Sequence, residues 1–75
     1  MAVTIKQAIG EHDVVAFTET IAKAEHPGNW PAGTIGAVVS DYDDHKMIEI
    51  VGKDGETLDM PVVPVAKLKL IEKHS

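Results

Sequence analysis

The chain has 75 residues, a formal net charge of −5, no cysteine and no arginine. That length makes one domain with a small core, burying roughly 60% of its unfolded surface. The missing cysteines exclude disulfides and thiolate metal sites. The acidic balance without arginine argues against phosphate neutralisation and bidentate base reading, so nucleic acid is not an expected partner.

Phe17, Trp30 and Tyr42 are the only aromatics, so the core is expected to consist of Val, Ile, Leu and Ala. The segment from Met1 to His12 is ambiguous: Val3, Ile5 and Ala8-Ile9 fit a short strand or one helical turn, interrupted by Gly10. Asp13 to Thr18 is apolar and β-branched and reads as a first strand. Glu19 to Gly33 is too irregular for a strand. Thr20 to Ala24 fits a helical turn, and His26 to Gly33, with two prolines and two glycines, is loop chemistry. Thr34 to Tyr42 reads as the second strand, with Gly36 marking a bulge or a close backbone approach.

Asp41 to His45 is a polar turn. Lys46 to Val51 is the third strand, with Ile48 and Ile50 on one face. Asp54-Gly55 between two alternating runs marks a hairpin, because both central positions tolerate positive φ. Thr57 to Val63 is the fourth strand, with Leu58, Met60 and Val62 on one face. Pro61 cannot donate a ladder bond and places the strand at an edge or a bend. Pro64 to Leu68 reads as a tight helical turn, and Lys69 to Ile71 as a last short strand. The expected fold is mainly β: a small five-stranded SH3-like barrel with a long first loop, one domain over residues 1–75, and a core of Phe17, Ile35, Val38, Ile48, Ile50, Leu58, Val62, Val65 and Leu68.

Most polar clusters have plain structural explanations. Asp41, Asp43, Asp44 and His45 lack the glycine and distal glutamate of a calcium loop and read as a solvated turn. His12, His26, His45 and His74 show no i, i+4 zinc spacing and read as surface residues. Ser40 and Ser75 lie in no nucleophile elbow. Gly33-x-x-Gly36 lacks the Gly-Lys-Ser/Thr ending of a phosphate loop. Lys67, Lys69 and Lys73 are the nearest approach to a basic patch and read as a solvated face. No cofactor, metal ligand or catalytic residue is expected. Trp30, with Pro31 and Tyr42 beside it, is the candidate contact for a partner or ligand, since tryptophan is enriched at interface hot spots. The competing reading has Trp30 folded back as a lid on the core.

Asp13-Val14-Val15, Gly33-Thr34-Ile35-Gly36-Ala37-Val38-Val39, Asp54-Gly55-Glu56-Thr57 and Val65-x-x-Leu68 together resemble a group of small bacterial proteins known as a domain of unknown function with an SH3-like barrel. The resemblance covers roughly Asp13 to Ile71 and implies fold more than function, with an accessory place beside mobile elements or toxin–antitoxin genes. A fainter resemblance is confined to Pro64-Val65-Ala66-Lys67-Leu68, which is similar to the end of plasmid-borne type II dihydrofolate reductase, a tetrameric SH3-like barrel. That family's Val-Gln-Ile-Tyr motif is replaced here by Met60-Pro61-Val62-Val63, so the resemblance implies an oligomeric habit and not the reductase activity.

The functional expectation is a non-enzymatic protein-binding or assembly module, with a homo-oligomer and an unidentified protein as its partners. The alternative is an oligomeric small-molecule-binding protein or enzyme with a site at the subunit interface. Val14-Val15, Val38-Val39 and Val62-Val63 are adjacent pairs, and adjacent strand residues point to opposite faces. One of each pair must face outward, which makes Val14, Val39 and Val63 candidate oligomer contacts. No apolar run reaches the roughly 20 residues of a membrane span and no signal peptide is apparent. A cytoplasmic protein is expected, which the lack of cysteine fits.

Overall fold

The computed structural model describes residues 8–74; Val3 and Ile5 lie outside the described residues. Short β-branched runs, cut by Gly, Pro and Asp, produce eight short strands among the described residues. They are β1 Val14–Phe17, β2 Ile21–Ala22, β3 Asn29–Trp30, β4 Ile35–Asp41, β5 His45–Val51, β6 Thr57–Asp59, β7 Val62–Pro64 and, after a 3-10 turn at Val65–Lys67, β8 Leu68–Glu72. Six of them form one antiparallel sheet in the order β6-β5-β4-β1-β8, with β7 also paired to β5, and β2 and β3 form a separate ribbon.

β6 and β7 are two pieces of one lane. β6 pairs with Ile50 and Val51, and β7 with His45, Lys46 and Met47, all on β5. Pro61 falls between the two pieces, as its missing N–H requires. The sheet therefore has five lanes in the expected order, and the expected tight turn precedes the last strand. The lanes β6–β7 and β8 are the two outer ones, and no pairing joins them among the described residues.

The expected helical turn at Thr20 to Ala24 is instead strand β2, and Trp30 sits on its partner β3 and not in open loop. The ribbon forms because Gly28 adopts φ 103°, which costs glycine nothing and lets Lys23 N–H reach the Gly28 carbonyl at 3.0 Å. The base of this arm is fixed to β1: Gly33 N–H donates to Phe17 O (2.7 Å) and Phe17 N–H to Thr34 O (2.9 Å).

The core consists of Val15, Phe17, Ile21, Val38, Ile48, Ile50, Val63 and Leu68, with Ile9 and Trp30 packed against it. Five of these residues match the expected core. Ile35, Leu58 and Val62 do not, since they are exposed, and Val65 is only half-buried. The fourth strand presents the opposite face from the one expected: Asp59, Pro61 and Val63 point inward and Leu58, Met60 and Val62 outward. Val62 and Val63 are equally apolar, so alternation alone could not choose the face. The buried partners of Asp59, described below, decide it.

Gly36 sets the face of β4. A Cβ there would lie 2.5 Å from Ile48 Cγ2 and 2.7 Å from the Glu49 carbonyl oxygen. The strand therefore turns its side-chain-free position inward, and Ile35 goes out. The close approach expected at Gly36 is present, and the β4–β5 bulge lies further on, between Val38 and Ser40. At Asp54-Gly55 only Gly55 has positive φ, 85°. Gly55 N–H bonds Gly52 O and Gly52 N–H bonds Glu56 O, which is a three-residue loop closed by a left-handed glycine.

Candidate interaction surface

Directly opposed residues of an antiparallel sheet share a face, so the strand registers describe the outward surface. Val14 on β1 lies opposite Ala37 on β4 and Glu72 on β8, and Ala37 lies opposite Glu49 on β5. In the adjacent row Ala16, itself buried, lies opposite both Ile35 and Lys69, which are exposed. Further along β5, Met47 lies opposite Val62 of β7. Ile35 (56%), Val51 (53%), Val62 (49%), Ile71 (48%), Met60 (39%) and Leu58 (38%) are large apolar side chains exposed on these lanes. Apolar side chains therefore extend in neighbouring rows across the outside of the sheet, with Glu49 among them.

Of the three valines expected at a contact, Val14 and Val39 are half-buried. Val63 is a correction: it is fully buried in the core, because the fourth lane is turned to bring Asp59 inward. Val62 takes the outward place.

Trp30 belongs to a different part of the molecule. Its indole Nε1–H donates to Asp59 Oδ2 at 2.8 Å, and the Lys23 ammonium lies 4.5 Å from its ring centroid. Ala24 N–H (2.8 Å) and Glu25 N–H (3.2 Å) donate to the same carboxylate. Burial pushes the Asp59 carboxyl up, but the indole and the N–H groups of Ala24, Met60 and Glu25 outweigh it and hold it below the ordinary value. One buried carboxylate on β6 thus ties down the β2–β3 arm through three donors. Sequence reasoning missed it, reading Asp59 as the solvent-facing alternate of an apolar strand. The available clue was Trp30, whose N–H needs an acceptor when packed on a core.

Tyr42 does not flank Trp30. It stands in the β4–β5 turn, its N–H bonded to His45 O, whereas Asp59 pairs with Ile50. Five residues of β5 separate the two, about 17 Å at roughly 3.4 Å per residue. Pro31 is exposed, and its carbonyl accepts the Thr34 hydroxyl at 2.7 Å.

A second buried carboxylate, Asp13, ties the two ends of the described chain. It accepts from Gly10 N–H (2.8 Å), Lys73 Nζ (2.8 Å) and His74 N–H (2.7 Å). The Lys73 ammonium first, then the His74 and Gly10 N–H groups, lower its pKa to about 2. Beside it His12, Val14, Glu72, Lys73 and His74 line an open pocket of about 210 Å³, where the His12 and His74 rings stand 5.2 Å apart. No local pattern links His12 with His74 across 62 positions. Among the described residues no group of three or more His, Cys, Asp or Glu is placed to hold a metal ion. In the acidic turn the Lys46 ammonium bonds Asp41 and the Asp43 carbonyl. Lys67 pairs with Glu19 at 3.5 Å and Lys73 with Asp13, so two of the three C-terminal lysines have acidic partners.

Residues 11–70 match a family described as a domain of unknown function, DUF4926. The chain belongs to that family. The matched span takes in Asp13, the arm, Asp59 and every strand except the end of β8. Glu72, Lys73 and His74 lie beyond it, so the pocket is built partly from residues outside the family region. No curated protein and no solved structure matches the chain. No helix among the described residues is long and apolar enough to cross a membrane.

Proposed function

We propose that the chain is a non-enzymatic protein-binding or assembly module whose contact surface is the outward face of its sheet. The observation that carries this reading is the set of exposed Ile35, Val51, Met60 and Val62 on adjoining lanes. Isolated apolar side chains at a surface need no explanation, but contiguous ones mark interaction sites. The two strongest polar arrangements, at Asp59 and Asp13, spend their hydrogen bonds inside the chain and hold the fold around this face. The finer parts of the reading are an SH3-like closure of the sheet, an oligomeric habit, and an accessory role beside a mobile element or a toxin–antitoxin pair.

Displayed-peptide selection against the folded chain tests the surface, with Met60→Asp and Val62→Asp as counter-targets of unchanged circular dichroism. Enriched peptides should bind the wild type and lose at least roughly tenfold on either variant, as expected when a charge enters an apolar contact. Peptides that bind all three proteins alike would place the contact elsewhere.

A further inference from the structure

Two imidazole rings meet at the open pocket, one from each end of the described chain. His12 sits in the turn closed by Asp13 N–H on Gly10 O (3.2 Å), and its own N–H donates to Val38 O at 2.7 Å. His74 is placed by the Asp13 carboxylate, which accepts its N–H at 2.7 Å. The two ring centroids stand 5.2 Å apart, with their planes inclined at 59°. His45 has the one histidine ring engaged in a hydrogen bond among the described residues. Within those residues the ring nitrogens of His12 and His74 therefore have no protein partner.

The charges around the pair favour a cation over an anion. Lys73 directs its ammonium to Asp13 Oδ2 and to the Ala8 carbonyl. Glu72 lines the same pocket and has no ion-pair partner among the described residues. Two carboxylates thus stand against one ammonium. The ring spacing suits one shared ion. A tetrahedral zinc ion takes imidazole nitrogen at about 2.0–2.1 Å. With each ring centre about 1.1 Å behind its nitrogen, two ligating rings stand roughly 5 Å apart at the tetrahedral angle. We infer that His12 and His74 form a two-histidine site for a divalent transition ion of the zinc class. Imidazole selects such ions, whereas calcium and magnesium take oxygen ligands. Water completes the coordination, because no group of three His, Cys, Asp or Glu is placed to do so among the described residues. The bound ion clips the C-terminal end to the turn before β1. His74 lies beyond the matched residues 11–70, so the site is a feature of this chain and not of the family span. It also stands apart from the proposed contact surface.

Titration of zinc chloride into the untagged full chain, followed by the histidine ring resonances, tests the inference. His12 and His74 should respond together and saturate at one ion per chain, while His26 and His45 serve as internal controls and respond only at much higher zinc. His12→Asn and His74→Ala should each weaken binding at least roughly tenfold, since each removes a ligand. Both variants should fold, which far-UV circular dichroism checks. Asparagine tolerates the left-handed backbone that His12 adopts, φ 70°, and the Asp13 bond to residue 74 is made by a backbone N–H. Binding of zinc should also raise the unfolding midpoint of the wild type and of neither variant, because the ion binds the folded pair. A titration in which neither ring responds below millimolar zinc would overturn the inference. So would four histidines that respond alike, or variants that bind as tightly as the wild type.

Discussion

Asp59 and Asp13 show how much two side chains can fix in a molecule this small. Asp59 accepts from the Trp30 indole and from two backbone N–H groups of the arm. Asp59→Asn keeps the shape but turns one acceptor into a donor facing donors. A hydrogen bond to a charged group contributes about 1.5–3 kcal/mol, and a core of this size supplies only about 3–5 kcal/mol in all. We expect a loss of about 2–3 kcal/mol in denaturant unfolding, with altered emission from the single tryptophan. Unchanged stability would show that the arm is held by other contacts. Asp13 gives a pH signature. Its folded pKa is about 2, below the roughly 3.9 of an unfolded aspartate. Its contribution is therefore complete above about pH 4 and lost as the pH falls through the folded value near 2. The stability gap between wild type and Asp13→Asn should be constant from pH 5 to 7 and narrow steadily toward pH 2. A gap that does not change with acid would mean that the carboxylate charge is not what matters at this position.

At the scale of strands, β4 and β5 illustrate what was readable beforehand. Element positions and types were mostly legible, because β-branched runs, Pro61 and Asp54-Gly55 are local features with local causes. Facing was legible only where a strand has a polar side. β5 alternates Lys46, Met47, Ile48, Glu49 and Ile50, and Ile48 and Ile50 are in the core as expected. The fourth lane has apolar residues at Leu58, Met60, Val62 and Val63, so its face is set by Asp59, whose donors come from residues 24–30. Those contacts span 29 to 35 positions and leave no periodic trace. The His12–His74 pair and the Lys73–Asp13 bond were hidden for the same reason. Gly36 makes the point testable: its inward position depends on space that a methyl group lacks, against backbone at the Glu49 carbonyl as well as a side chain. Gly36→Ala should destabilise by about 1–3 kcal/mol, the usual cost of overpacking, and should speed hydrogen exchange of the β4–β5 ladder amides. A neutral effect would show that β4 can shift outward without loss.

For the whole molecule, charge and surface bear on which partners to test. With a net charge of −5 and no arginine, and with Lys67 and Lys73 paired to carboxylates, the chain should show no appreciable DNA or RNA binding at physiological salt. Micromolar, salt-sensitive binding in a fluorescence titration would contradict this, because counterion release has that dependence. We propose instead that the contact lies on the outside of the sheet. Amide chemical shifts recorded while a peptide selected against the folded chain is added test this most directly. We predict shifts at Ile35, Val51, Met60 and Val62, the exposed apolar residues of that face, with the arm at Lys23 to Trp30 and the pocket at His12 and His74 unchanged. Shifts confined to the arm or the pocket would contradict it.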